Sequence, residues 1–106
     1  MNNAVIDWIQ QWYAQECNGD WEHQYGIKVD TLDNPGWKVC IDLTDTELEN
    51  TAFTPVEIHR NDHDWVVCRL EEKMGEKQFW GYGGPRNLIE LFTVFRSWVE
   101  DGNKPK

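Results

Sequence analysis

The stretch Tyr25-Gly26-Ile27-Lys28-Val29-Asp30-Thr31-Leu32-Asp33-Asn34-Pro35-Gly36-Trp37-Lys38-Val39-Cys40-Ile41-Asp42-Leu43 decides how this chain folds. Tyr25, Ile27 and Val29 alternate with Gly26, Lys28 and Asp30, and beyond Asn34-Pro35-Gly36 the apolar set becomes Trp37, Val39, Ile41 and Leu43. A period of two on both sides of a turn-forming tripeptide is the pattern of a β-hairpin. Both apolar sets carry odd numbers. A shared apolar face therefore needs paired residues whose numbers sum to an even total, which a loop over 34–36 provides. Pairing Asp33 with Trp37 sets Val29 against Ile41, Ile27 against Leu43 and Lys28 against Asp42. A slip that opposes Asp30 to Asp42 is disfavoured by like charge.

Outward from this hairpin, a polar, acidic connection over 44–50 leads to a second one. Val56 and Ile58 alternate out to Arg60, the chain turns through Asn61-Asp62-His63, and Val66, Cys68 and Leu70 return, so the even positions form the inner face. The odd face carries Glu57, His59, Trp65, Val67 and Arg69. Trp65 and Val67 make it too apolar to be wholly solvated, so a helix or a partner is expected over part of it. Pro55 suits a strand start or an edge. A turn at Met74-Gly75-Glu76 precedes a fifth strand, Gln78 to Tyr82.

Helical spacing frames the strands. Val5, Trp8, Ile9 and Trp12 share one face of a helix expected over 3–17, capped by Asn2 or Asn3 and closed by Gly19 in the left-handed region. Leu88, Leu91, Phe92, Phe95, Trp98 and Val99 form the strongest helical stripe of the chain. That helix is expected over 85–101, with Pro85 at its first position, Gly102 as its stop and a frayed tail over 103–106. The reading is one α+β domain over 1–106. It is a five-stranded antiparallel meander sheet flanked by an N-terminal and a C-terminal helix.

Composition sets what the domain can do. Of 106 residues 40% are hydrophobic, with seven Trp, three Tyr and four Phe, enough apolar area for a core and against disorder. Nineteen Asp and Glu against ten Lys and Arg leave a net charge of −9, the wrong sign for direct binding to a nucleic-acid backbone. Three widely spaced cysteines cannot close a disulfide framework, which fits a reducing, cytoplasmic setting. The N-terminus carries no basic, apolar export signal, and no apolar run approaches the ~20 residues of a membrane span.

The densest chemistry is Gly19-Asp20-Trp21-Glu22-His23, two carboxylates and an imidazole within four positions. Converging, they would suit acid–base work in a small enzyme or ligand-binding domain. Neighbours in extended chain point apart, so the simpler expectation is that Asp20 and Glu22 bond backbone while Trp21 enters the core. His59, Asp62, His63 and Asp64 could ligate a metal, but they sit at a hairpin tip where such residues serve turns. With no Cys-x-x-Cys and no His-Glu-x-x-His, neither metal nor cofactor is expected. Gly81-Tyr82-Gly83-Gly84-Pro85 lacks the lysine of a phosphate-binding loop and reads as a strand exit before a helix. Cys40 and Cys68 have no basic cluster to activate them.

Acid distribution carries more weight. From Asp30 to Glu49 the chain holds Asp30, Asp33, Asp42, Asp45, Glu47 and Glu49 against Lys38 alone. Such a face is either simply solvated or an electrostatic dock for a basic protein. Among the tryptophans, Trp65 and Trp80 are the expected surface rings.

Trp12-Tyr13, then Cys17-Asn18-Gly19-Asp20-Trp21-Glu22-His23 with Tyr25-Gly26-Ile27, then Thr31-Leu32-Asp33-Asn34-Pro35-Gly36-Trp37, resemble the immunity protein 53 family of bacterial polymorphic toxin systems. Phe79-Trp80-Gly81-Tyr82-Gly83, Asn87-Leu88 and Trp98-Val99-Glu100 extend the resemblance over about residues 8–100. It implies a small cytoplasmic protein that binds and blocks a cognate toxin, and it supplies no catalytic residues. A basic nuclease is one toxin class an acidic inhibitor would suit. The expected partner surface is then Asp42, Asp45, Glu47 and Glu49, with Asp33 at the hairpin tip and Trp65 as an aromatic anchor.

Overall fold

The computed structural model describes residues 4–101. The elements are α1 (Ala4–Glu16), α2 (Trp21–Gln24), β1 (Ile27–Leu32), β2 (Gly36–Asp42), β3 (Val56–Asn61), β4 (Asp64–Lys73), β5 (Glu76–Gly83) and α3 (Leu88–Asp101). This is the α+β arrangement expected: five antiparallel strands in one open sheet, with helices at both ends of the chain. The expected caps at Asn2 or Asn3, the stop at Gly102 and the tail over 103–106 lie outside the described residues.

The first hairpin forms with its parity intact but its register displaced. Ile27 lies opposite Ile41, Lys28 opposite Cys40, Val29 opposite Val39 and Asp30 opposite Lys38. The loop is 33–35, and Lys28 does not face Asp42. This register also opposes unlike charges, Asp30 to Lys38. Asp42 is occupied elsewhere, its carboxylate accepting the Gly26 N–H at 3.0 Å and Gln78 Nε2 at 2.9 Å. Side-chain bonds to the neighbouring strand and to the head of β1 thus outweigh the expected Lys28 pair.

Strand order is the second difference. A plain meander places β2 beside β3, whereas the sheet runs β1-β2-β5-β4-β3. Only β3-β4-β5 is a meander, and β5 returns to pair with β2. The thirteen residues 43–55 make this possible because they carry their own apolar anchors. Leu48 is buried, and Phe53 packs edge-on against Phe79 and Trp98 at centroid distances of 5.5 and 5.1 Å. The connection therefore crosses the molecule as part of its core rather than as a short loop.

The second hairpin keeps its expected faces: Val56 pairs with Cys68 and Ile58 with Val66. β4 and β5 are joined tightly, Lys73 opposite Glu76, through Met74 and Gly75 at φ +55° and +82°. Positive φ at both central positions gives the turn whose twist matches its strands. α3 begins at Leu88 rather than at Pro85. Pro85 lies in a turn closed by the Asn87 N–H on the Gly84 carbonyl, and the Asn87 carbonyl then accepts the first helical bond from Leu91. α3 lies close over β5 because Gly83 has no side chain: a Cβ there would sit 3.2 Å from Asn87 Cβ and 3.2 Å from the Trp65 carbonyl.

The core lies between the sheet and the two long helices. Val39, Ile41, Val66, Cys68 and Phe79 from the strands meet Trp12, Leu91, Phe95 and Trp98 from the helices. Phe95 is its hub, packing edge-on against Trp12 at 5.0 Å and Phe79 at 5.2 Å. Each such pair adds about 0.5–1.5 kcal/mol beyond the area it buries.

Candidate functional site

The short helix α2 was not foreseen, and it resolves the Asp20/Glu22/His23 cluster. Asn18 Oδ1 accepts the N–H groups of Asp20 and Trp21, both at 2.9 Å. The Glu22 carboxylate turns back to accept those of Asn18 (2.9 Å) and Gly19 (2.8 Å). Its own N–H first, then those of Gly19 and Asn18, hold Glu22 below the usual carboxylate range. Trp21 is buried and its indole N–H donates to the Thr44 carbonyl at 3.0 Å. His23 and Asp20 are exposed. Glu22 bonds backbone and Trp21 enters the core as expected, whereas Asp20 makes no cap bond with its side chain because Asn18 takes that place, and the three side chains do not converge on a pocket.

The hairpin-tip residues are likewise dispersed. His59 bonds Glu57 at 3.0 Å and stacks on Trp65, while Asp64 accepts from Arg60 (2.7 Å) and from the buried Asn87 (2.9 Å). Arg60 also grips Glu90 through two bonds of 3.1 and 2.7 Å. This network ties the tip to α3, and Asn87 and Arg60 keep Asp64 ionised. Among the described residues no group of three His, Cys, Asp or Glu is placed to hold a metal. Burial pushes the Cys40 thiol up to about 11 and the Cys68 thiol up to about 12, so neither is a ready nucleophile.

Among the described residues no helix covers the outer face of the sheet. Its aromatic rings are covered instead by their own neighbours. Trp80 and Tyr82 stack at 6.0 Å and 11°, Lys38 Nζ lies 5.7 Å from the Trp80 ring, and the Arg69 guanidinium lies 5.3 Å from the Tyr82 ring. Trp65 lies under His59 at 6.4 Å and 15°. Trp65 and Trp80 are both half-buried.

The acidic residues divide between the two ends of β2. Asp33 lies in the β1–β2 loop, at the end where Trp37 pairs with Gly83 and where Trp65 is the second residue of β4. Asp42, Asp45, Glu47 and Glu49 lie at the other end, and the steps from Gly36 to Asp42 at ~3.3 Å each put roughly 20 Å between the two groups. Asp33 and Trp65 therefore do not share a patch with the other four.

At the exit of β2 the tertiary structure adds acids that the sequence reading missed. Glu47 accepts the Trp12 indole N–H at 3.0 Å, which brings it beside Glu16 at the end of α1. Burial, then the neighbouring Glu47, raise the Glu16 carboxyl from 4.5 to about 7. Asp20 and Asp45 line one depression with Tyr25. The Tyr25 hydroxyl donates to Glu76 at 3.1 Å, and Glu76 leads Asp45 and Asp42 in raising its pKa. Glu49 accepts the Asp45 N–H at 3.3 Å, supporting a loop in which Asp45 holds φ +66°. The acid run of 42–49 was legible, but Glu16, Asp20 and Glu76 join it only through packing of α1, α2 and β5.

No helix among the described residues is long and apolar enough to cross a membrane. No curated protein and no solved structure matches the chain. A family model described as immunity protein 53 matches residues 6–100, almost the full length. With nearly every element of the fold inside that match, the chain belongs to the immunity protein 53 family.

Proposed function

We propose that this immunity protein neutralises a cognate toxin by binding it directly, without catalysis, in the cytoplasm of the producing cell. The contact is assigned to the acidic end of the sheet, where Asp45, Glu47 and Glu49 stand with Glu16 and Asp20 and with Asp42 behind them. One observation carries this assignment: packing brings Glu16 beside Glu47 and sets Asp20 and Asp45 around one depression with Tyr25, and the crowding raises the Glu16 carboxyl. A surface that cannot ionise fully on its own is stabilised by incoming Lys or Arg side chains, which draws a basic partner to that place. A nuclease fits, since its substrate groove must attract phosphate and carboxylates can occupy it in competition. Asp33 and Trp65 belong to the contact only for a partner that spans the length of β2.

The test is co-expression with the toxin encoded beside this gene. Cells are expected to survive and the two proteins to co-purify. Asp20→Lys combined with Asp45→Asn, the latter chosen because Asn tolerates positive φ, is expected to slow association about tenfold at low salt and to flatten its salt dependence. Association kinetics unchanged at every ionic strength, with both proteins folded, would remove the acidic end from the interface.

A further inference from the structure

The two edges of the sheet are built differently. β3 follows Pro55, and its pairing with β4 shifts register between His59 and Asn61. Proline and bulges keep an edge from pairing further. β1 has neither, and pairs with β2 in unbroken register from Ile27 to Leu32. One hydrogen bond shows which of its backbone groups face away from β2. The Asp42 N–H donates to the Gly26 carbonyl at 3.0 Å, so by the alternation of an antiparallel pair the even residues of β1 turn their backbone toward β2. Ile27, Val29 and Thr31 turn theirs outward, where the Thr31 N–H donates to Asp30 Oδ1 at 2.8 Å and exchanges that bond when a further strand pairs. Their side chains face the helical layer, beside an open groove of about 340 Å³ lined by Ile9, Tyr13, Ile27 and Phe92. Tyr13 and Val29 are 39% and 45% exposed, as is Ile89 at 47%, one helical turn before Phe92. Apolar surface and outward-facing backbone thus run along the same edge.

We propose that a second copy of this chain occupies this edge, β1 pairing antiparallel with the partner's β1 about a twofold axis through Val29 and joining two five-stranded sheets into one. Charge selects both the occupant and the register. Placing Val29 opposite the partner's Val29 lets their outward N–H and C=O groups bond one another. The same register sets Lys28 against the partner's Asp30 and Asp30 against the partner's Lys28. Slipping by two residues in one direction opposes Lys28 to the partner's Lys28, and in the other Asp30 to the partner's Asp30. Unlike pairs across strands stabilise and like pairs destabilise, so one register is selected. On the helical side Val29 meets the partner's Val29, and Ile27 lies beside the partner's Thr31. The same patch serves both copies, as a twofold contact requires.

Sedimentation equilibrium of the full chain from micromolar to millimolar concentration tests this. The mass is expected to rise from 12.6 kDa toward twice that value. Val29→Pro removes an outward N–H and no bond to β2, so this variant is expected to fold and to remain monomeric. Lys28→Asp and Asp30→Lys each place like charges across the axis and are expected to weaken self-association about tenfold. Mixing these two variants restores unlike pairs at both contacts and is expected to recover dimer, which decides the matter even if Val29→Pro does not fold. A wild-type chain monomeric at millimolar concentration overturns the proposal, as does dimerisation that persists in folded Val29→Pro or a mixture that associates no better than its parts. A monomeric chain whose Val29→Pro variant loses toxin binding also overturns it, assigning the edge to a toxin strand. None of these outcomes bears on the acidic end, which is tested without self-association.

Discussion

Replacing Glu16 by Gln is expected to stabilise this protein above neutral pH and to leave it unchanged in acid. Glu16 lies on the last turn of α1 beside Glu47, whose carboxylate is held in place by the Trp12 indole, and its own carboxyl is raised from 4.5 to about 7. Below about pH 4.5 folded and unfolded chains both carry the proton, so the site is neutral to stability. Between about 4.5 and 7 the native state holds a proton that the unfolded chain releases, and stability falls as pH rises; above 7 the loss is complete. Taken at face value that rise corresponds to roughly 3 kcal/mol. Glu16 still meets solvent, and screening reduces the effect to about 1 kcal/mol. Glutamine keeps the shape and can donate to Glu47 without the charge. Urea unfolding at pH 4.5 and pH 8 is the assay, with an expected gain of about 1 kcal/mol at pH 8 and close to none at pH 4.5, or about 5 °C in Tm at the higher pH. An equal gain at both values would mean that Gln acts through helix propensity or packing, and would refute the account of a crowded acid pair.

Two further substitutions address the fold. Phe95→Ala empties the centre of the aromatic core, where Phe95 is fully buried against Trp8, Trp12, Phe79 and Trp98; a loss of about 3–5 kcal/mol is expected in urea unfolding, and a loss under about 1 kcal/mol would show that the core collapses around the gap. Met74→Asn puts a residue that accepts positive φ at an exposed turn position now at +55°; a gain of about 0.5 kcal/mol is expected by thermal unfolding, and a loss would mean that the Met74 side chain contributes to the hairpin.

Much of the fold follows from periodicity. The alternation over 25–43, the even inner face of the second hairpin and the stripe from Leu88 to Val99 are local patterns, and each became the element they indicate. What failed depended on contacts outside these patterns, most of them long-range. The register of β1 on β2 turned on Gly26 and Gln78, both of which bond Asp42, and the start of α3 on a turn that holds Pro85 outside the helix. Strand order depended on whether 43–55 is a loop or part of the core, and Leu48 and Phe53 settle that only once there is a core to enter.

The candidate site divides along the same line. By itself the sequence determined the excess of acid, its concentration after β2 and the family to which the chain belongs, because composition, spacing and motif are properties of the chain alone. Only the tertiary structure decided which acids stand together. It separated Asp33 and Trp65 from Asp42, Asp45, Glu47 and Glu49 by the length of a strand, and it brought Glu16 to Glu47 across thirty-one residues. Electrostatic coupling falls with distance through space, and distance through space is set by how the helices and the crossing connection pack on the sheet.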